Sequence, residues 1–416
     1  MSGYLRKGLE KNVREALEEV NAYEWEGDYR FETRNKLKEL LEDRMGTEVE
    51  QHLGRQLYER REAGDTEDYR NGSRVRHFLT ELGDLMVRIP RTRKGFITKV
   101  LEAYQRRSRS VNQLIMACFV LGMSTRKVSA ALFSLLGERV SASTVSEVAK
   151  GLDEAVKRYH ERKIEDRYRF LFFDGVVLKQ RGVAKVQKKT ILSVYGETWE
   201  GKREMIDFLL ATSESQNAWE GFLRDLYERG LEGKHCEIIT SDGGKGLRNA
   251  LEVVYPRIPR QHCWAHKTRN VLDKVKKVDQ EKVKKELHRI SHAKNRQAAT
   301  QAYWSFCHKY RKIYPDAVKS LSSEIDDLLS FYQVKLSPKE KRGLNPQELQ
   351  KAQMTLWRTI RTTNLIERAF REVKRRTRPM GVFGNRNSIE RILYAVFFHL
   401  NSKGQEVPSF LFTQDA

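Results

Sequence analysis

The clearest strand signal in the sequence is Phe170-Leu171-Phe172-Phe173-Asp174-Gly175-Val176-Val177-Leu178. A continuous apolar run of this length is typical of a strand that is covered on both faces of a sheet. Asp174 interrupts the run, and burying an unpaired carboxylate there is costly, so this side chain needs a partner. A metal ion is the partner that would also supply chemistry.

A second aspartate follows another short apolar strand. This strand reads Cys236-Glu237-Ile238-Ile239-Thr240-Ser241, and Asp242 comes directly after it, with glycines at 243 and 244. Two strands that each deliver an aspartate form a candidate metal site.

The surrounding pattern predicts an α/β fold. We predict strands at about 169–178, 189–196, 203–211, 236–241 and 258–263, and helices at 215–229, at 245–254 and from near Trp264. Three strands in succession, followed by strands that alternate with helices, indicate a mixed sheet with helices on its faces.

The N-terminal part has a different pattern. Helical spacing predicts helices at 5–20 and about 34–61, and β-branched residues broken by Gly83 predict a hairpin at 76–90. Three short helices follow within 111–155, the third capped by Ser141 or Ser143. They are compatible with a helix-turn-helix that reads a DNA groove. A small helical bundle is the alternative, because the third helix is partly acidic.

The C-terminal part is mainly helical. Residues 272–356 are rich in Lys and Glu and look inserted into the α/β unit. A closing helix is predicted at about 364–377. A last helix carries apolar residues from Ile389 to Leu400 at helical spacing, so we expect it to pack into the core.

Composition points to a polyanionic partner. The chain has 416 residues with 78 Lys and Arg against 56 Asp and Glu, a formal net charge of +22. Such an excess favours nucleic acid as the partner, and a solvated, highly charged surface is the alternative. The longest apolar stretch, Leu114 to Met123, is too short to span a membrane, and we expect a cytoplasmic, nucleoid-associated protein. The four cysteines are scattered, so we expect reduced thiols.

The third acid is Glu367, at the border of the apolar face of the closing helix. Two local alternatives are a capping box with Asn364 and an ion pair with Arg371. Taken together, however, Asp174, Asp242 and Glu367 are hard oxygen ligands that suit Mg²⁺. Two such ions can hold the attacking and leaving oxygens of an in-line phosphoryl transfer.

Several further stretches carry a resemblance to a known family. They are Trp219-Glu220-Gly221-Phe222-Leu223, Ser241-Asp242-Gly243-Gly244-Lys245-Gly246-Leu247, Gln261-His262-Cys263-Trp264-Ala265-His266-Lys267-Thr268-Arg269-Asn270 and Thr363-Asn364-Leu365-Ile366-Glu367-Arg368. With Phe172-Phe173-Asp174-Gly175, in this order, the chain resembles a DDE transposase of the Mutator type, over roughly 35–400.

The resemblance implies a ribonuclease H-like core with a helical insertion before the last acid. It also implies Mg²⁺-dependent cleavage at transposon ends and joining of the freed 3′-hydroxyl to a new phosphodiester, with Asp174, Asp242 and Glu367 as catalytic metal ligands. We expect two Mg²⁺ ions, replaceable by Mn²⁺. The expected partners are double-stranded DNA, as terminal inverted repeats and target, and a second copy of the chain or a larger assembly.

The predicted domains follow from the pattern and the resemblance together. They are an N-terminal helical region (1–66), a β-hairpin region (67–105), a helix-turn-helix-like DNA-binding region (106–160), the first part of the catalytic core (161–271), an all-helical insertion (272–356) and the second part of the core with the C-terminal helix (357–416).

Basic residues near the acids are the expected DNA contacts. They are Lys179, Arg181, Lys245, Lys267, Arg269, Arg368, Arg371, Lys374, Arg375, Arg376 and Arg378. Cys263 and His266 are expected to support the active site by bracing the loop that presents Asp242, with half of a zinc site as the alternative. Trp219 is expected beside the site as a core aromatic, with DNA stacking as its alternative.

We therefore predict a transposase. Two other functions stay open: a ribonuclease H-like, structure-specific DNA nuclease that cuts without joining, and a catalytically inactive DNA-binding regulator. The intact set of three acids speaks against the regulator.

Overall fold

The computed structural model describes residues 24–402, except 63–64, 103–104, 137–139 and 183–185. Two compact units are present, the first ending at Leu152 and the second beginning at Asp153. The helix predicted at 5–20 lies outside the described residues. The finer domain boundaries stay predictions.

The first unit contains a helix, a hairpin and three short helices. Its elements are α1 (Glu24–Leu53), β1 (Arg70–Thr80), β2 (Gly83–Thr92), α2 (Arg109–Val120), α3 (Thr125–Leu136) and α4 (Ala142–Ala149). The predicted hairpin is confirmed as an antiparallel pair, longer than expected at both ends. The Ser141 side chain accepts a hydrogen bond from the Thr144 backbone N–H and so caps α4, one of the two predicted caps.

Two apolar clusters hold the first unit together. One joins the three short helices to Leu79 of the hairpin and is centred on Ile115, Val128 and Leu132. The other packs Met45 of α1 against the hairpin residues Leu85 and Val87. Whether the three helices read DNA stays a prediction.

The second unit is an α/β structure. Its elements are α5 (Asp153–Glu161), β3 (Tyr168–Arg181), β4 (Val186–Thr198), β5 (Arg203–Ala211), α6 (Gln216–Glu228), β6 (Ile238–Ser241), α7 (Lys245–Val254), β7 (Arg260–His262), α8 (Trp264–Leu272), α9 (Gln280–Ser291), α10 (Arg296–Tyr310), α11 (Pro315–Ser322), α12 (Ile325–Leu328), α13 (Pro338–Lys341), α14 (Pro346–Ile360), α15 (Asn364–Thr377) and α16 (Arg386–Asn401).

The five strands form one mixed sheet in the order β5-β4-β3-β6-β7. Strands β3, β4 and β5 pair antiparallel, whereas β6 pairs parallel with both β3 and β7. β3 is therefore central and has a neighbour on each side, as its continuous apolar run predicts. The predicted mixed α/β fold is confirmed at this level.

Both faces of the sheet are covered by helices. On one face, Leu171 and Phe173 of β3 belong to a buried cluster with Trp219 of α6 and Leu247 of α7. On the other, α15 packs on β3 and β4, and α16 packs on β5. Alternate residues of β3 point to opposite faces. Asp174 therefore lies on the α15 side, because Phe173 lies on the α6 side.

The segment between α8 and α15 is helical, as predicted, and it is tied to the sheet by a buried arginine. The Arg169 side chain of β3 is 2% exposed. Its Nε donates to Glu237 at 2.7 Å, its Nη1 donates to Glu340 at 2.8 Å, and its Nη2 donates to the Lys335 carbonyl at 2.6 Å. The status of this segment as an insertion stays a prediction. Within the part of the chain that the structure describes, every helix is too short or too polar to span a bilayer.

Replacing Arg169 by Met should lower the free energy of unfolding of the second unit by about 3 kcal/mol. The substitution removes one buried partner of an ion-pair network and leaves the Lys335 carbonyl unpaired. Urea unfolding followed by tryptophan fluorescence measures the change. Arg224→Met, which breaks an exposed i,i+4 pair with Glu220, is the control and should change stability by less than about 1 kcal/mol. Equal stability of the two variants would contradict the anchoring role of Arg169.

Candidate active site

The first two acids stand side by side because of the parallel pairing of β3 and β6. The ladder runs from Phe170 opposite Ile238 to Phe173 opposite Ser241. Asp174 and Asp242 are the next residue on each strand, and neighbouring strands lie about 5 Å apart. The two carboxylates are thus brought together although 68 positions separate them in the chain.

Asp174 is held in an environment that disfavours its charge. The side chain is buried, and the Gly175 backbone N–H donates to its Oδ1 at 2.8 Å. Burial, then the charge of Asp242 and to a smaller degree that of Glu367, raise the pKa of Asp174 to about 7, against the opposing effects of Gly175 and His266. Asp174 is therefore within electrostatic reach of both Asp242 and Glu367.

The loop that presents Asp242 is fixed by its own backbone and by His262. The Gly244 backbone N–H donates to Asp242 Oδ1 at 2.9 Å, and His262 Nε2 donates to the Asp242 carbonyl at 2.7 Å. Gly243 has a φ of +81°, and a Cβ there would lie 2.1 Å from His262 Nε2. Only glycine fits this position, for its conformation and for its closeness to the histidine.

A buried charge cluster holds His262 in turn. Glu324, just before α12, contacts both His262 Nδ1 and Lys267 Nζ. Burial opposes ionisation of Glu324, but the hydrogen bonds and charges of His262 and Lys267 outweigh it and lower the pKa of Glu324 to about 2. The Lys267 ammonium group is therefore paired with Glu324 inside the protein.

Glu367 lies on α15 and contacts basic residues of α8. Its Oε1 lies 3.5 Å from Arg269 Nη2 and 3.7 Å from His266 Nε2. The helix begins at Asn364, with Thr363 in the N-cap position and no side-chain cap. The capping box with Asn364 is therefore absent, because Asn364 already lies inside the helix.

The Cys–His pair organises the start of α15. Cys263 Sγ is buried and accepts hydrogen bonds from the Thr363 N–H and hydroxyl, each at 3.3 Å. The Thr363 hydroxyl also lies 3.5 Å from His266 Nδ1 and from Glu367 Oε1. The Cys263 backbone N–H also donates to the Ser241 carbonyl at 2.8 Å, directly before Asp242. The side chains of Cys263 and His266 contact the start of the helix that carries Glu367, and the His262 side chain contacts the Asp242 loop. The expectation that Cys263 and His266 brace the Asp242 loop stays a prediction.

The carboxylates share an edge of the sheet without converging on one point. Among the described residues, no three His, Cys, Asp or Glu side chains stand close enough to hold a single ion. This holds for the three acids and equally for Cys263 and His266 with any third ligand. Asp174 and Asp242 lie on neighbouring strands, whereas Glu367 Oε1 contacts His266 and Arg269.

The predicted DNA contacts divide into exposed and buried residues. Exposed cations are Lys179, Arg181, Lys245, Arg269, Arg368, Arg371, Lys374, Arg375 and Arg378. Lys267 and Arg376 are 3% and 4% exposed and pair with Glu324 and Glu372, so the expectation of DNA contact is wrong for these two. Trp219 is buried and lies edge-on to Phe173, next to Asp174, which is the position of a core aromatic.

Two further polar residues at this edge were not predicted. Ser193 of β4 pairs directly opposite Asp174, and its buried hydroxyl lacks a hydrogen-bond partner in the described structure. Glu214 lies over Gly175, where a Cβ would stand 2.5 Å from its Oε1. Partial burial of the Glu214 carboxylate and the negative charge of Asp242 raise the pKa of Glu214. Glu214 lies between β5 and the helix cap Ser215. Like Asp242, it follows a strand, and this position is the sequence feature from which it could have been predicted.

Comparison with known proteins identifies the family of this chain. The family model described as "Transposase, Mutator family" matches residues 10–406. The chain belongs to the Mutator family of transposases. It is 30% identical to the transposase for insertion sequence element IS905 of Lactococcus lactis subsp. lactis over 371 residues, 89% of either chain. It is 31% identical to that for IS1081 of Mycobacterium tuberculosis, over 87% of this chain and 83% of the relative. A third relative, for IS256 in transposon Tn4001 of Staphylococcus aureus, is 29% identical over 89% of this chain and 90% of its own.

Replacing Asp174 by Asn in this Mutator-family chain should raise its stability in a pH-dependent way. Because the folded-state pKa of Asp174 is raised to about 7, the folded protein holds this proton more tightly than the unfolded chain. The wild type therefore loses stability as pH rises from about 4 to 7, by roughly 2–4 kcal/mol. Melting temperatures of Asp174→Asn and wild type should coincide near pH 4 and diverge by pH 8. Glu228→Gln, at an exposed carboxyl of α6, is the control, and an equal gain in it would contradict the prediction.

Replacing Cys263 by Ala should destabilise the start of α15, because the buried Thr363 N–H then lacks an acceptor. We expect a loss of about 1–3 kcal/mol in unfolding free energy and a fall in any activity that depends on Glu367. Cys263→Ser, which keeps an acceptor, should restore part of both. Zinc analysis of the purified protein is the discriminating measurement: one zinc per chain, lost in both variants, would favour the metal-ligand interpretation.

Proposed function

We propose that this chain is the transposase of an insertion sequence. It would cleave DNA at the terminal inverted repeats of its element and join the freed 3′-hydroxyl to a phosphodiester of target DNA. The observation that carries the proposal is the parallel pairing of β3 and β6, which sets Asp174 beside Asp242, with Glu367 near enough to act on the charge of Asp174. The relatives, which are transposases for insertion sequence elements, support it.

The chemistry of these side chains fits divalent cations. All three offer hard oxygen donors, the kind that Mg²⁺ and Mn²⁺ prefer. Burial, followed by the negative charge of Asp242, raises the pKa of Asp174, and a nearby positive charge would stabilise its ionised carboxylate. We propose that Asp174, Asp242 and Glu367 hold two Mg²⁺ ions, replaceable by Mn²⁺. When bound, such ions activate the attacking oxygen and stabilise the leaving oxygen.

Glu367 would exchange partners as the site becomes active. Its carboxylate is 3.5 Å from the exposed Arg269 and 3.7 Å from His266. If it turned toward the aspartates, Arg269 would be left free to contact a phosphate of the DNA strand. Thr363, fixed by Cys263, would keep the first turn of α15 in place during this change.

Exposed cations around the site would hold the DNA backbone. Arg368, Arg371, Lys374, Arg375 and Arg378 are exposed along α15 and just beyond it. With the net charge of +22, they favour strong, salt-dependent binding of double-stranded DNA. Because two element ends must be processed together, we propose a homodimer or larger assembly on DNA. The mixed sheet with helices on both faces supports a ribonuclease H-like core.

Two alternatives differ in their products. A ribonuclease H-like, structure-specific nuclease would cut DNA without joining it. A catalytically inactive regulator would bind the element ends without any need for Mg²⁺. The acids gathered around Asp174 favour an enzyme over a regulator, and joined products would separate a transposase from a nuclease.

Replacing Asp242 by Asn should abolish cleavage and joining while leaving binding of the element ends nearly unchanged. We expect the rate to fall by more than about a hundredfold, because loss of a residue that only supports a ligand already costs 10–100-fold. The assay incubates the protein with Mg²⁺ and DNA that carries its flanking inverted repeats, and then maps nicks and joined products. Gel shifts without divalent ions measure binding.

Asp326→Asn is the matched control, since this aspartate is 92% exposed and lies on α12. It should retain full activity. Full cleavage by Asp242→Asn would overturn the proposed mechanism. Wild-type products that are cut but never joined would favour the nuclease.

A further inference from the structure

We propose that a groove beside α15 binds a single unstacked nucleotide of the DNA strand next to the bond that is cut. This inference rests on the proposed function and deepens it. The groove, called here the α15 groove, encloses about 460 Å³ and is lined by Tyr195, Arg203, Arg368 and Arg371, among others. A volume of this size is typical of a site for one small ligand and excludes a duplex.

The charge of the α15 groove favours a phosphate. Three guanidinium groups line it, and Arg203 is the one that has an acidic partner, Glu197 at 2.7 Å. Within the described residues, Arg368 and Arg371 are without an acid within ion-pair distance. Glu372, which also lines the groove, is paired with Arg375 at 2.8 Å and with Arg376. The net charge of the residues that line the groove is therefore positive. Guanidinium groups bind phosphate oxygens well, because their paired N–H donors match the geometry of the oxygens.

An aromatic ring supplies a surface for a base. Tyr195 lies on β4 opposite Phe172 and meets it edge-to-face, with ring centroids 6.4 Å apart. It is half-buried, so one part of the ring is fixed and another part faces the groove. A positive groove with one aromatic platform is the usual arrangement for binding an unstacked base without reading its sequence.

The register of the sheet places the α15 groove one short step from the acids. On β4, Ser193 pairs with Asp174, and Tyr195 is two residues further along the same face. Two strand residues span roughly 7 Å, which is the length scale of one nucleotide in a single strand. On α15, Arg368 directly follows Glu367. A strand whose phosphodiester lies among the acids would therefore deliver its neighbouring nucleotide to the groove.

The first experiment looks for the unstacked base directly. The full-length Asp242→Asn chain is bound to element-end DNA that carries the fluorescent base 2-aminopurine at successive positions around the cleavage site. One position next to the cut should brighten on binding, because the base leaves the stack. Tyr195→Leu should abolish that signal, and Tyr195→Phe should keep it. If 2-aminopurine fluorescence increases at none of the tested positions, the proposal is overturned.

The second experiment measures the contribution of the groove to binding. Arg203→Ala and Arg371→Ala should each weaken binding of ends with a single-stranded flank by about tenfold and reduce the salt dependence of log K by about 0.7. Arg224→Ala, at an exposed arginine on α6 that also pairs with a glutamate, is the matched control and should change neither.

An abasic site separates the base contact from the phosphate contact. With DNA that lacks the base at the brightened position, Tyr195→Leu should no longer weaken binding, whereas Arg371→Ala should still weaken it.

The two proposals fail in different ways. If wild-type protein with Mg²⁺ neither cuts nor joins element ends, the proposed function fails. If it cuts and joins normally and the Tyr195→Leu, Arg203→Ala and Arg371→Ala variants stay within twofold of it in binding and rate, the groove proposal alone is overturned.

Discussion

The structure of the candidate site depends on one pairing, the parallel ladder between β3 and β6. It sets Asp174 beside Asp242 and places both at the edge of a sheet that helices cover on both faces. Two carboxylates at this separation repel each other, and burial adds to that repulsion. The surrounding elements hold this unfavourable arrangement in place, and the raised pKa of Asp174 is its direct sign.

Separate supports hold the other two acids. His262, Glu324 and Lys267 fix the loop of Asp242 from the side of β7, and Cys263 fixes Thr363 at the start of α15. Because His262 and Cys263 are consecutive in the chain, one short segment organises both acids. This stretch has no acid of its own, yet it contacts the segments that carry Asp242 and Glu367.

The sequence predicted the fold well wherever periodicity was strong. The central strand, the alternation of β6, α7, β7 and α8, and the closing helix at Asn364–Thr377 all lie close to where they were expected. Local reasoning failed where the outcome depended on distant residues. The Asn364 capping box is absent because Cys263 and Thr363 decide where α15 begins. Lys267 is buried because Glu324, from the turn before α12, lies beside it. Neither contact can be predicted from the residues near it in the chain, because each joins residues that are far apart in the sequence.

From the sequence alone came the order of the strands and helices and the positive charge, since these depend on local pattern and composition, and it supplied three candidate acids, whose roles stay a prediction. Only the tertiary structure decided which polar groups meet: Glu214 over Gly175, Ser193 opposite Asp174, and the arginines around Tyr195. The physical reason is that strand register and helix packing set these contacts. A shift of one residue in register would send the same side chains to the opposite face of the sheet.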